Sequence, residues 1–170
     1  AWDGTADFKK LVFFIDGGAF TPGVYHLDDI AKNSQLYGLP IYFNDATIPF
    51  VGVGGASFEI STDPDDSTNA TGKVTNGGNE WETAEIMLDV PISITSGGDN
   101  KYSVRIYSPD ADAHKLMMKL EQSGDNEYIE LAQDFQGAGW NTVHFDMSTV
   151  GAQAWPNPGA EWDGTADFKK

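Results

Sequence analysis

The chain has 170 residues, no cysteine, and 26 acidic side chains against 10 basic ones, for a formal net charge of −16. Thiolate metal sites and disulfide staples are therefore excluded, and there is no basic stripe of the kind nucleic acids or anionic polysaccharides need. No stretch approaches the roughly 18 apolar residues of a membrane-spanning helix, which leaves neutral sugars, cations and cationic proteins as the partner classes to consider.

The N-terminal residues 2–10 (WDGTADFKK) recur unchanged as residues 162–170, an offset of 160. Such an identity marks one period of a tandem array, a rearranged order in which the last strands of a module stand first, or a local duplication. The first copy runs into residues 10–15 (KLVFFI), a short apolar run halted by Asp16-Gly17-Gly18. That pattern predicts a buried strand. The second copy stops where the same strand would begin. Two outcomes follow: the N-terminal strands fold back into their own chain and leave one copy redundant, or they complete a neighbouring chain in a strand-swapped oligomer.

Further along, short apolar runs alternate with glycine-rich turn clusters, and long helical periodicity is absent. Strands are predicted at 8–15, 23–30, 40–44, 57–62, 72–76, 84–90, 101–108, 114–121, 127–134 and 140–147. Residues 102–107 (YSVRIY) alternate cleanly, with Val104 and Ile106 on one face and Arg105 and Tyr107 on the other. Residues 114–122 contain good helix formers but stand among strands, so a strand is expected there. Residues 31–39 look like a linker. The expected fold is a single all-β sandwich of about 8–10 antiparallel strands, with residues 11–30 as closing strands, 40–160 as the main body and 161–170 as a duplicate of 1–10.

Read from Leu39 and wrapped from Lys170 to Leu11, the chain resembles the jelly-roll carbohydrate-binding modules appended to laminarinases and related polysaccharide-degrading enzymes of marine Bacteroidetes. Residues 39–45 (LPIYFND) look like the opening strand of that family. Residues 62–66 with Lys73 and Val74 look like its second and third strands. Residues 102–109, 118–121 and 140–146 are similar to its central strands, and residues 10–15 and 25–30 to its closing pair. The resemblance implies a non-catalytic module of a larger secreted protein, extracellular or at the cell surface, holding a neutral β-glucan-like polysaccharide beside a catalytic domain or further identical modules. It also implies a structural Ca²⁺ where the opening and closing strands lie side by side, with Asp28, Asp29, Asn44 and Asp45 as oxygen donors.

Sugars are held by flat aromatic faces together with hydrogen bonds from charged or amide side chains. Trp81, in a glycine-rich loop, is the aromatic expected to be most exposed, and Trp155 is a second candidate. Arg105, Tyr107, Lys119 and Glu121 are expected to share one sheet face that lines the glycan. Trp140 is expected in the core. Residues 80–85 (EWETAE) resemble the Glu-x-Asp-x-x-Glu signature of laminarinase-type glycosidases, but the middle acid is glutamate and the chain is short for a cleft of that kind, so no enzymatic activity is expected. The alternative is a structural tandem repeat of a surface or adhesin-like protein without a sugar site.

Overall fold

The computed structural model describes residues 5–18, 22–32, 40–44, 49–95, 100–121, 127–149 and 153–154. Eleven strands follow in order: β1 Thr5–Ile15, β2 Gly23–Lys32, β3 Val51–Val53, β4 Ser57–Thr62, β5 Ala70–Asn76, β6 Thr83–Thr95, β7 Lys101–Ser108, β8 Ala113–Glu121, β9 Glu127–Gln136, β10 Gly139–Asp146 and β11 Gln153–Ala154. They form two antiparallel sheets. The first has the order β11-β9-β8-β1-β6-β3 and the second β10-β7-β2-β5-β4. This is the expected all-β sandwich. Among the described residues no helix is long and apolar enough to cross a membrane.

The two N-terminal strands stand at the centre of the two sheets. β1 lies between β6 and β8, and β2 between β5 and β7. They take these places because residues 11–15 are apolar on both sides of the strand. Leu11, Phe13 and Ile15 enter the core, and Val12, on the opposite face, is only 1% exposed. A strand covered on both faces belongs in the middle of a sheet. Both strands pair here with strands of the same chain; residues 161–170, the second copy of the repeat, lie outside the described residues.

Alternation sets the rest of the core. Tyr102, Val104 and Ile106 of β7 face Leu116, Met118 and Leu120 of β8 across the sandwich, with Tyr25 and Leu27 of β2 and Val143 and Phe145 of β10. At one end three rings pack together: Phe50 stacks on Phe58 at 5.0 Å between centroids, and Phe43 lies 5.8 Å from Phe50. Gly72 makes room for them, since a Cβ there would stand 2.7 Å from the Phe58 ring and 2.8 Å from that of Phe43.

Two expectations change. The opening strand at 40–44 is reduced to a single bridge between Ile41 and Ile30, because Pro40 has no N–H to donate and the chain turns at Phe43 and Asn44. Next to it, Val51–Val53 forms an edge strand on β6 that was too short to stand out before Gly54-Gly55.

Candidate functional site

The outer face of the first sheet is built by the residues that alternate with the core set. The register places Val12 of β1 beside Glu85 of β6 and Lys119 of β8, and one step along, Lys10 beside Met87 and Glu121. Lys10 Nζ lies 2.8 Å from both Glu85 Oε2 and Glu121 Oε2, and Lys119 Nζ lies 2.6 Å from Glu121 Oε1. Lys119 also stands over the Tyr128 ring, 4.0 Å from its centroid. Burial tends to raise the Glu121 carboxyl, but the two lysines outweigh it and hold the group below the usual range. In Lys10 the carboxylates likewise outweigh burial and raise the ammonium.

At the other end of this face stands Trp81. Its side chain is 56% exposed and meets Phe14 of β1 edge-on at 6.1 Å. The loop before β6 fixes it there. Glu82 is buried and accepts hydrogen bonds from the Gly78 N–H and the Asn79 amide, both at 3.0 Å. The backbone of Trp81 is left-handed, with φ of 66°, and backs onto the turn at Gly54, where an added Cβ would stand 3.0 Å from the Trp81 carbonyl oxygen. Val51, Val53 and Met87 are exposed on the same face. Trp81 was thus foreseen as exposed. From Phe14 to Lys10 is four residues of strand, about 13 Å at roughly 3.3 Å per residue.

Arg105 and Tyr107 are elsewhere. β7 belongs to the second sheet and β8 to the first, because residues 109–112 cross between sheets. The expected grouping of Arg105 and Tyr107 with Lys119 and Glu121 is therefore overturned: the two pairs lie on opposite outer faces. Around Arg105 the second sheet carries a linked row of rings. Trp140 meets Tyr107 edge-on at 5.7 Å, and Tyr107 meets His26 at 6.0 Å. The Arg105 guanidinium stands 4.4 Å over the Trp140 ring and reaches Asp29 at 3.2 Å, while the indole N–H donates to Asp63 at 3.1 Å. Trp140, expected in the core, is half-buried on this outer face. Its register opposite Tyr107 was the signal that could have placed it. Trp155 lies outside the described residues.

The residues expected to hold calcium have other partners. The Asn69 amide donates to Asp28 at 3.0 Å and to Asp63 at 3.2 Å. Asp29 pairs with Arg105, and Asn44 accepts from the Ala70 N–H at 3.3 Å. Among the described residues no group of three or more His, Asp or Glu side chains is positioned to hold a metal. Asp45 lies outside the described residues.

The three acids of residues 80–85 have different surroundings. Glu82 is turned into its own loop, Glu85 is bound by Lys10 on the sheet, and Glu80 is exposed. No protein-family model, curated protein or solved structure matches this chain.

Proposed function

We propose that the protein is a non-catalytic carbohydrate-binding module, and that it holds a neutral, β-glucan-like polysaccharide on the outer face of the first sheet. The observation that supports this is Trp81. A large flat ring is held in solvent by a strained loop, with Phe14 behind it and a row of hydrogen-bonding charges further along the same face. With Val51, Val53 and Met87 also exposed on this face, the indole is open to stacking, and the C–H face of a sugar ring suits that role. Glu85, Glu121, Lys10 and Lys119 offer acceptors and donors to hydroxyls, and Glu130, opposite Lys119, adds a third carboxylate to the same face. Binding would be weak for each module and strengthened if modules repeat in tandem.

A second reading is a structural repeat of a surface or adhesin-like protein with no sugar site, supported by the identity of residues 2–10 and 162–170. A glycan array screen of the folded chain separates the two. Binding to neutral glucans that is lost in Trp81→Ala supports the module. An array without hits, with the fold intact by circular dichroism, leaves the structural repeat.

A further inference from the structure

Away from both outer faces, the end of β1 meets the start of β8 at a cleft of about 690 Å³ lined by Asp16, Gly17, His114, Asp134, Phe135 and others. His114 is buried beside it with a carboxylate at each ring nitrogen. Nδ1 lies 3.0 Å from Asp16 Oδ2, and Nε2 lies 2.8 Å from Asp110 Oδ1. A neutral imidazole has one N–H and one lone pair, so it can satisfy only one of these acceptors, and its lone pair would face the other. Only the imidazolium donates to both; a neutral ring that donates from Nε2 would turn its Nδ1 lone pair to Asp16, or to the Tyr25 hydroxyl 3.4 Å away, which would then give up its hydrogen bond to Asp16.

The cluster joins β8 to four other parts of the fold. Asp16 ends β1 in a left-handed conformation, with φ of 53°. Its other oxygen accepts from the Lys115 N–H at 2.9 Å, and its own N–H donates to the Lys115 carbonyl at 2.8 Å. Tyr25 of β2 donates its hydroxyl to Asp16 Oδ2 at 3.0 Å. Asp110 belongs to the crossing between β7 and β8. Phe135 of β9 closes the site, its ring 5.4 Å from the imidazole. Other charges nearby include exposed Asp112, whose N–H donates to Asp110 Oδ1 at 2.9 Å, and Lys115 and Asp134 at the cleft rim, 3.7 Å apart and mostly solvated.

We propose that His114, Asp16 and Asp110 form a proton lock: the imidazolium pins the end of β1 and the β7–β8 crossing to β8, and its deprotonation releases them. Burial would lower the His114 pKa, but the hydrogen bonds and charges of Asp110 and Asp16 outweigh burial and raise it above 6.5. The folded state thus holds this proton more tightly than the unfolded chain. The stabilisation is complete below pH 6.5 and is lost as pH rises through the elevated folded value. The Tyr25 hydroxyl, raised by burial and then by the Asp16 charge, does not ionise in this range.

Proton NMR titration of the three imidazoles tests the lock. His26 is an internal reference, since burial and then Lys73 lower its pKa below 6.5. The His114 midpoint should lie above 6.5, and in Asp110→Asn it should fall towards that value. Asp110 is at the surface, so this variant should keep the fold. Amide exchange protection at Asp16 and Lys115, corrected for the intrinsic pH dependence, should drop as His114 titrates. A His114 midpoint at or below 6.5, a midpoint unmoved by Asp110→Asn, or protection that ignores the titration would overturn the proposal.

Discussion

The two outer faces each present a tryptophan, and they treat it in opposite ways. Trp140 is held on three sides: Arg105 lies over its ring, Tyr107 meets its edge, and Asp63 takes its N–H. Trp81 has Phe14 against one edge and solvent over much of the rest. An aromatic whose polar and apolar surfaces are already satisfied contributes to the folded state. One that is fixed in place but left uncovered is available to a ligand. Residue type alone would have ranked the two equally; their neighbours separate them.

Substitutions at the two tryptophans should therefore affect different properties. Trp140→Ala removes half-buried ring contacts, a cation–π contact and a hydrogen bond, and should cost about 2–3 kcal/mol in denaturant unfolding. Glucan binding, measured at a temperature where the variant is folded, should be retained. If binding falls with Trp140 instead, the second sheet is the binding face. Trp81→Ala should weaken glucan binding by about tenfold, near 1.4 kcal/mol, as read by titration calorimetry. Its unfolding midpoint should stay close to that of the parent.

A smaller effect is expected at Lys10. Lys10→Ala leaves Glu85 and Glu121 facing one another above Val12, and should cost about 1 kcal/mol at neutral pH. The pairing also sets an acid limit. Because the Glu121 carboxyl is held below its usual 4.5, its contribution is present above that value and fades as pH falls through the folded pKa. The melting temperature of the parent should drop more steeply below pH 4.5 than that of Lys10→Ala, and equal slopes would remove the ion-pair explanation. The smallest effect concerns metal. An EDTA melt separates the two states of Asp28, Asp29 and Asn44: an unchanged melting temperature leaves them with the partners described. A fall of several degrees on chelation, restored by Ca²⁺, would mean that these side chains rearrange around an ion.

Much of the sandwich was legible in the sequence for a simple physical reason. A strand with one buried face alternates with period two, and residues 57–62 and 101–108 carried that alternation within the bounds the structure shows. Alternation says which residues share a side of one strand, but not which sheet the strand joins. The turn at 109–112 reads like any hairpin turn, yet it carries the chain from one sheet to the other, and this separated Arg105 and Tyr107 from Lys119 and Glu121. Trp140 was misjudged for the same kind of reason, since half-burial on an outer face depends on Arg105 and Asp63, which are distant in sequence. Trp81 was legible because its surroundings are local: a glycine-rich loop holds it, and the buried Glu82 that organises the loop is the next residue.

The most direct test of the binding face is a two-dimensional NMR titration of the labelled chain with a soluble β-glucan. The account predicts shifts at the Trp81 indole N–H and at Lys10, Glu85, Lys119 and Glu121, with the Trp140 indole N–H and Arg105 unmoved. Shifts confined to Trp140, Arg105 and Tyr107 would contradict it.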